Sequence, residues 1–212
     1  MLVLVSTMKN LKYLLFLSIL CSLVLFTNCG EGISIGDYHQ GGIVFYIFEK
    51  GDAGYVAGEV HGLIAAPNDI ISEQQWTKCY GLKTITGAKG TDIGRGYQNT
   101  QDIVAQCKED NTPAALCNNS DVGGYNDWFL PSIAELLKMY ENIGQGSRKN
   151  IGQFSDNGYW SSSKVVSKIE GERLLPLTTE DGIIVYLIDF NTGELKANNG
   201  VYTNDVRAIR AF

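Results

Sequence analysis

The sequence predicts an α+β domain in which short antiparallel sheets, two to three helices and long ordered loops are combined. Two apolar runs rich in β-branched and aromatic residues, Gly41 to Phe48 and Ile183 to Phe190, are typical of strands. Between them, Ser132 and Glu135 stand three positions apart ahead of apolar residues at helical spacing, which indicates a capped helix. Gly is abundant at 24 residues and Pro scarce at 4, which favours short strands joined by tight turns.

Residues 1–28 have the pattern of an export signal. Lys9 and Lys12 precede an apolar run from Tyr13 to Phe26, which is shorter than the roughly 20 residues that span a bilayer as a helix. The run ends at a box typical of bacterial lipoproteins, which predicts lipidation of Cys29 and anchoring to the outer membrane or cell surface. Asn28 departs from the small residues usual before such a cysteine, so an ordinary secretory signal is the alternative.

The remaining residues predict one domain outside the cytoplasm. Residues 29–36 are expected to form a tether and 37–212 a single domain, which is long enough to bury a core. Lys9 and Lys12 are the only charged residues of 1–28, so 15 basic residues remain against 23 acidic ones, a net charge of −8. This balance excludes a nucleic-acid partner, because such binding requires clustered Lys and Arg.

The first half of the domain is expected to contain short strands followed by two helices. Thr100 is the expected N-cap of a helix that extends to about Lys108, with Ile103, Val104 and Cys107 on its inner side. Pro113 then begins a short helix that reaches Cys117, because proline is tolerated at a first helical position. The other predicted segments are strands at Gly41 to Phe48, Tyr55 to Ala57 and Gly62 to Ala66, and an ordered loop at Gly81 to Tyr97.

The stretch Gly123 to Tyr140 is predicted to organise the core. Trp128 and its neighbours carry a large apolar load, and Pro131 ends the extended segment. The helix that follows, 132–142, is expected to bury one face and to share a core with Trp128. The predicted structural core motif combines residues of this stretch with residues nearer the C-terminus. Its members are Trp128, Leu130, Pro131, Glu135, Trp160, Arg207, Arg210 and Phe212.

The last third is predicted to be β-structure. Tyr159 to Ser163 and Ile183 to Phe190 are expected strands, and a turn at residues 191–193 leads into Glu194 to Ala197. Val206 to Phe212 has a period of two with apolar groups on both faces, which predicts a central strand. Arg207 and Arg210 are expected to bond to carboxylates or loop carbonyls.

Several blocks together resemble a family of bacterial extracytoplasmic domains that includes the C-terminal domain of a collagen-like adhesin. The blocks are GGIVFYI at 41–47, GLIAAPND at 62–69, TGAKGTDIG and NTQDIV within 86–104, GYNDWFLPSIAELLKMY at 124–140, YWSSS at 159–163 and VRAIRAF at 206–212. The resemblance implies a C-type-lectin-like fold, whose members mostly bind rather than transform their ligands. It also implies that the first and last strands of the domain pair, so VRAIRAF should lie near GGIVFYI.

Three cysteines of the domain need an account in an oxidising compartment. One disulfide and one free thiol is the simplest arrangement for Cys79, Cys107 and Cys117. Cys79 with Cys107 is the favoured pair, because Cys79 follows a loop and Cys107 ends a helix, so both can adjust their approach; Cys107 with Cys117 is the alternative. Cys117 suits a buried thiol on a small apolar helical turn.

The sequence offers no convincing catalytic or metal constellation. The only histidines are His39 and His61, so a Ser-His-Asp triad or a His-rich zinc site has little to draw on. Glu59 with His61 is a candidate metal or base pair, although a surface pair in a loop is the preferred interpretation. Ser161, Ser162 and Ser163 are expected to satisfy loop backbones. Asn126 and Asp127 are a weak candidate for calcium, with a turn-closing role preferred, so no cofactor is predicted.

Two functional hypotheses remain. The first is a non-enzymatic, lipid-anchored binding module for a glycan, a matrix component or a protein partner. The second is a divergent thiol-dependent enzyme or maturation factor of the sulfatase-activating type, which would need a reactive cysteine. Tyr and Asn suit recognition surfaces, so the candidate ligand-binding residues lie in the segment 170–180 and at Asn198, Asn199, Tyr202, Asn204 and Asp205.

Overall fold

The chain divides into two units, Met1–Gly32 and Ile33–Phe212, and the second holds every described helix and strand. The computed structural model describes residues 32–76, 85–170, 173–176 and 183–212. The predicted signal peptide, Cys29 and Cys79 therefore lie outside the described residues. None of the described helices is both long and apolar enough to span a membrane.

The described residues form a mixed α+β structure. Its helices are α1 (Gly96–Gln106), α2 (Pro113–Asn118) and α3 (Ile133–Ile143), followed by a 3₁₀ turn at Gln145–Ser147. Its strands are β1 (Tyr38–His39), β2 (Gly42–Ile47), β3 (Gly62–Ala65), β4 (Ile71–Gln75), β5 (Gly158–Lys164), β6 (Ser167–Glu170), β7 (Arg173–Pro176), β8 (Ile184–Asp189), β9 (Leu195–Asn199), β10 (Thr203–Val206) and β11 (Ile209–Ala211). The α+β class predicted from the sequence is confirmed.

Two sheets and one separate hairpin organise the strands. The first sheet has the order β1-β2-β3-β11, the second has the order β4-β10-β5-β8-β9, and β6 pairs only with β7. All pairs are antiparallel except β10 with β5, which run parallel. Both apolar runs that predicted strands are strands, one in each sheet.

The C-terminal segment belongs to both sheets, which corrects the prediction of one central strand at 206–212. Val206 ends β10, between β4 and β5, and the chain then crosses to the first sheet, where Ile209 begins β11 at its edge beside β3. The expected pairing of the first and last strands was also wrong, because β3 lies between β2 and β11 in the sheet that they share. Phe129 covers part of the outer edge of β11 by exchanging both backbone hydrogen bonds with Ile209 at 2.8 and 2.9 Å.

The helix α3 has the start that the sequence predicted. Ser132 caps it, and the Ser132 side chain and the Glu135 side chain each bond the other residue's backbone N–H. The buried face consists of Ile133, Glu135, Leu136, Met139 and Ile143. Because this face lies against β2, β5 and β8, α3 contacts both sheets.

The helix α1 begins at Gly96, four residues before the predicted cap. Thr100 lies inside the helix, where its hydroxyl donates to the Gly96 carbonyl at 2.8 Å and accepts the Leu130 N–H at 3.0 Å. Arg95 is the N-cap and makes no side-chain capping bond. The prediction of Thr100 as N-cap was wrong because a distant group, the Glu135 carboxylate, satisfies this helix start. Thr112 caps α2 from just before Pro113.

The core consists of two hydrophobic clusters. The first contains Trp76, Trp128 and Trp160 together with residues of β3, β8, α1 and α2. The second contains the apolar face of α3 together with Phe45, Phe129, Tyr159 and Phe190. The prediction that Trp128 and the helix share one core was therefore wrong, although Trp128 and Trp160 are buried as expected. Trp128 and Phe129 are adjacent and point into different clusters.

Some polar or glycine-rich segments differ from the prediction. Tyr55 to Ala57 is an exposed loop rather than a strand, because Gly51, Gly54 and Gly58 adopt positive φ around it and turn the chain. The strand β4 and the hairpin of β6 and β7 were missed, because the polar residues of β4 and β6 and the proline of β7 have low β propensity. Ile33 already packs against the first cluster, so part of the expected tether lies on the domain.

Candidate functional site

The five candidate ligand-binding residues lie at one end of the second sheet. Asn198 and Asn199 end β9, Tyr202 lies in the turn that follows, and Asn204 and Asp205 belong to β10. Their exposure differs sharply, since Tyr202 is 60% exposed and Asp205 only 1%. The structure therefore separates them into supporting and accessible residues.

Asp205 is a buried support rather than an accessible ligand. Its Oδ2 accepts hydrogen bonds from the Ser155 hydroxyl at 2.6 Å and from the Asn157 amide at 3.1 Å. Its Oδ1 accepts the backbone N–H of Glu73 at 3.0 Å. Each carboxylate oxygen is engaged, so Asp205 fixes the two segments beside β10.

The bond from Glu73 to Asp205 holds a β-bulge in the edge strand β4. Ser72 and Glu73 together oppose Asp205, because the register shifts between the pairs Asn204–Gln74 and Val206–Ile71. Glu73 has a φ of 52°, which a residue with a side chain rarely adopts. Bulges bend an edge strand and re-aim its side chains, and they are frequent beside functional sites.

The bulged strand and the neighbouring turn form one accessible area, which we name the β4 edge surface. Ile71, Val201 and Tyr202 are 37%, 57% and 60% exposed. The Gln75 amide donates to the Val201 carbonyl at 2.8 Å, which fastens the turn to β4. The residues of the β4 edge surface are Ile71, Ser72, Glu73, Val201, Tyr202 and Thr203, all of which are exposed.

Asn199 and Asn204 act mainly within the fold. Asn199 Oδ1 accepts the Val201 N–H at 3.2 Å and so shapes the turn below Tyr202. Asn204 lies against Gly158, and its Nδ2 is buried with no partner among the described residues. Of the five predicted residues, only Tyr202 presents most of its side chain to solvent.

A chain of polar contacts extends from Asp205 to the buried Arg207. The Tyr159 hydroxyl lies 3.2 Å from the Ser155 hydroxyl and donates to Asp69 Oδ2 at 2.9 Å. Burial raises the pKa of the Tyr159 phenol, so it stays a donor. Arg207 Nε donates to Asp69 Oδ1 at 2.6 Å, and the guanidinium lies 4.1 Å from the centre of the Phe154 ring. This network makes the support of the β4 edge surface rigid.

Arg210 lies in β11 of the first sheet and forms an ion pair with Asp127. Its Nε and one terminal nitrogen donate to the two oxygens of Asp127 at 2.6 and 2.9 Å. These bonds lower the pKa of the Asp127 carboxyl below its ordinary value of 3.8. Arg210 also donates to Gln40 and stacks over Tyr125. Both predictions that the arginines bond to carboxylates are confirmed, and Asp127 is engaged by an arginine in the position considered for calcium.

The three serines of β5 satisfy backbone groups, as predicted. The Ser161, Ser162 and Ser163 hydroxyls donate to the carbonyls of Tyr186, Pro131 and Gly90 at 2.6, 3.1 and 2.6 Å. All three are buried, and none forms a hydrogen bond with a histidine in the described part of the chain. Leu130 and Trp160 lie in the first cluster, and Phe212 packs against its edge.

The Glu59 and His61 pair lies in an exposed loop. Their side chains form a hydrogen bond of 2.8 Å, which raises the pKa of His61. His61 also contacts the Phe212 carbonyl at 3.1 Å. Within the described ranges, no group of three His, Cys, Asp or Glu residues is placed to hold a metal ion.

Cys117 is a free, fully buried thiol, which contradicts the alternative disulfide between Cys107 and Cys117. Burial raises the pKa of the Cys117 thiol, which lowers its reactivity. Cys79 lies outside the described residues, so its pairing with Cys107 stays a prediction.

Sequence reasoning did not identify Ile71 and Glu73 as accessible residues, although both belong to the β4 edge surface. Their strand is read as ISEQQ, and its polar residues gave no strand signal. Gln74 and Trp76, two apart, are both buried, but Gln74 is polar, so no apolar alternation is visible in the sequence. No protein-family model matches the chain, and no curated protein matches it.

Proposed function

We propose that the protein is a lipid-anchored extracytoplasmic binding module of C-type-lectin-like fold that holds a macromolecular partner through the β4 edge surface. The observation that carries the proposal is the contrast between the accessible and the supporting residues. Three exposed apolar side chains lie together, Ile71 on the bulged strand β4 and Val201 and Tyr202 on the neighbouring turn, and the buried Asp205 holds β4 in a strained backbone conformation at Glu73. Strain of this kind persists where the surroundings over-determine it, and it clusters at functional positions.

The chemistry of the β4 edge surface favours a protein or matrix partner. A tyrosine and two aliphatic residues supply apolar area, and Glu73 is the only charged residue among the six. Interfaces are enriched in tyrosine and depleted of charge at their centres. The net charge of −8 after the leader argues against sulfated or otherwise anionic polymers.

The alternative of a thiol-dependent enzyme gains no support from the described residues. Such chemistry needs an accessible thiolate beside a cationic group or a histidine. Cys117 is fully buried with a raised thiol pKa. The binding proposal needs no such group.

An array of purified matrix proteins and glycans, probed with the domain from residue 33 onward, tests the proposal. The double variant Ile71→Ser/Tyr202→Ala should lose at least tenfold in affinity for whatever the natural domain binds. Leu195→Ser, which removes an exposed leucine from the opposite edge strand β9, is the matched control and should bind normally. Because Asp127 is held by Arg210, adding calcium should leave binding unchanged.

Two results on the array would overturn the proposed binding surface. One is a natural domain that binds none of the probes, and the other is a double variant that binds as tightly as the natural domain. Circular dichroism of the variants separates a lost contact from a lost fold.

The lipid anchor is tested separately by replacing Cys29. In a bacterial host, the natural full-length chain should incorporate labelled palmitate and sediment with membranes. Cys29→Ser should incorporate none and appear in the soluble exported fraction, whereas Cys79→Ser is the cysteine control and should still be labelled. Equal labelling of the natural chain and Cys29→Ser would show that the leader is an ordinary secretory signal.

A further inference from the structure

A cleft of about 500 Å³ lies among residues that the β4 edge surface does not include. Three separate segments line it: the loop after β2, the loop before α1, and the first turn of α3. The lining residues are Gly51, Asp52, Ala53, Asp92, Ile93, Arg95 and Ala134. Its volume falls in the range of roughly 300–1,000 Å³ that is usual for small-molecule sites.

Hydrogen bonds hold the wall formed by the loop before α1 and the first turn of α3. The Ser132 hydroxyl donates to the Asp92 carbonyl at 2.8 Å, and the Ala134 N–H donates to the Thr91 carbonyl at 3.0 Å. Glu135, which is fully buried, accepts the Gly94 N–H at 2.7 Å. This wall is therefore formed without a ligand.

The opposite wall is fixed through Asp52. Its Oδ2 accepts the Glu49 N–H at 2.8 Å and the Tyr46 hydroxyl at 2.9 Å. Gly94 lets the two walls approach, because a Cβ on it would lie 2.7 Å from the Ala53 Cβ. The cleft thus has two ordered sides that touch at Gly94.

Arg95 and Asp92 make no side-chain bond to the described part of the chain, and Asp52 uses only one of its two carboxylate oxygens. Arg207 and Arg210 each hold an aspartate at 2.6 Å, whereas the Arg95 guanidinium forms no ion pair or hydrogen bond with any described residue. The Asp92 carboxylate is likewise without a partner in the described part of the chain, and Asp52 keeps its Oδ1 free. Opposite charges that share a cleft without pairing are available to a ligand.

We propose that this cleft binds a small zwitterion of the α-amino acid class. Arg95 receives the ligand carboxylate, because a guanidinium matches a carboxylate through two parallel hydrogen bonds. Asp92 and the free oxygen of Asp52 receive the ammonium group. Ile93, Ala53 and Ala134 leave an apolar wall for a short aliphatic side chain. The proposal does not depend on the partner bound by the β4 edge surface.

Ligands with one kind of charge suit the cleft less well. A simple anion at Arg95 meets the two aspartates, and a simple cation at the aspartates meets Arg95. A metal ion prefers more carboxylate or histidine ligands than the described residues bring together. A molecule that carries both charges satisfies all three side chains.

Backbone amide NMR shifts of the domain from residue 33 onward test the proposal directly. The probes are L-alanine, L-valine and L-leucine, each compared with its N-acetyl and its amide derivative, which remove one charge apiece. At least one free amino acid should shift the amides of residues 51–53 and 92–95, and both derivatives should bind at least tenfold more weakly. Because Arg95 and Asp92 are exposed, added salt should weaken the binding.

Single variants identify the side chains that bind. Arg95→Gln and Asp92→Asn should each weaken binding at least tenfold, whereas Arg148→Gln and Asp121→Asn, which alter exposed residues outside the cleft, should not. The proposal is overturned if no free amino acid shifts these amides at tens of millimolar, or if Arg95→Gln binds like the natural domain. Shifts equal for the zwitterion and its blocked derivatives would also overturn it.

Discussion

Single charged side chains determine much of this structure, and Arg207 is the clearest case. It is 1% exposed, and its guanidinium bonds to Asp69 and to the carbonyls of Ala66 and Gly152. A buried charge is tolerated only when it is paired and hydrogen-bonded. Arg210 repeats the arrangement with Asp127, and each arginine also lies 4.1 Å from the centre of an aromatic ring.

Replacing Asp205 tests the support below the β4 edge surface. In Asp205→Ala the Ser155 hydroxyl, the Asn157 amide and the Glu73 N–H lose their acceptor. We expect the free energy of unfolding to fall by about 3 kcal/mol, because buried donors to a carboxylate are left unsatisfied. Urea unfolding measures this. Asp121→Ala, at an exposed aspartate without a partner in the described ranges, should change it by less than about 0.5 kcal/mol.

An Asp205→Ala variant as stable as the natural domain would contradict this account of Asp205. In that case the bulge at Glu73 would be held by the ladder of β4 and β10 alone.

The sequence predicted that the two arginines form hydrogen bonds, but it did not identify the residues that accept them. The two-residue period in Val206 to Phe212 predicted extended chain in which the Arg207 and Arg210 side chains both need acceptors. Asp69 and Asp127 are 138 and 83 residues away, so only the folded chain brings them close. Asp205 was assigned to a ligand because the sequence does not distinguish an exposed carboxylate from a buried one.

At the scale of helices, one carboxylate serves the starts of two of them. Glu135 accepts the Ser132 N–H at the start of α3 and the Gly94 N–H just before α1, each at 2.7 Å, and it also bonds the Gly96 N–H. A side chain on Gly96 would collide with this carboxylate. Burial raises the pKa of Glu135 to about 7, although these N–H donors oppose the shift.

The raised pKa of Glu135 predicts a particular pH dependence. Between its ordinary pKa of 4.5 and about 7, the folded state binds a proton that the unfolded state has released, so this group's contribution to stability falls as pH rises. The loss approaches about 3 kcal/mol, at about 1.4 kcal/mol per unit of pKa shift. The unfolding free energy of the natural domain minus that of Glu135→Gln should therefore decrease from pH 4.5 to 7.

Urea unfolding of both proteins across this range measures that difference. His61 also has a raised pKa, but it is present in both proteins and cancels. A difference that stays constant or grows with pH would contradict the assignment to Glu135.

The sequence predicted the start of α3 correctly and the start of α1 wrongly, because only the start of α3 is determined by neighbouring residues. The capping box of α3 is contained in four consecutive residues, so it is visible in the sequence. The start of α1 is satisfied by Glu135, about 40 positions further along the chain, which no local pattern reveals. The glycine-rich loop before α1 is ordered by such distant bonds, including those of Asn99 to Gly90 at 2.7 and 3.0 Å.

At the scale of the whole domain, the C-terminal segment joins the two halves of the core. β10 lies inside the second sheet and β11 extends the first, with only Arg207 and Ala208 between them. Val206 and Ala208 belong to the first cluster and Ile209 belongs to the second. The resemblance implied that the first and last strands pair, whereas in the structure they share a sheet without pairing and the last segment also belongs to the other sheet.

We therefore infer that the two clusters unfold as one cooperative unit, which keeps the β4 edge surface attached to a rigid support. All three tryptophans lie in the first cluster, whereas Leu136 is fully buried in the second. Tryptophan fluorescence thus reports on one cluster while a variant perturbs the other. Far-UV circular dichroism reports on the helices and strands together.

The most direct test is equilibrium unfolding of Leu136→Ala, followed by tryptophan fluorescence and far-UV circular dichroism on the same samples. We predict a loss of about 2–5 kcal/mol from the cavity in the second cluster. Both signals should move to the same lower midpoint, while Leu195→Ala, at an exposed leucine, should leave the midpoint unchanged. A tryptophan transition that stays at the natural midpoint while the circular dichroism transition shifts would contradict a single cooperative unit.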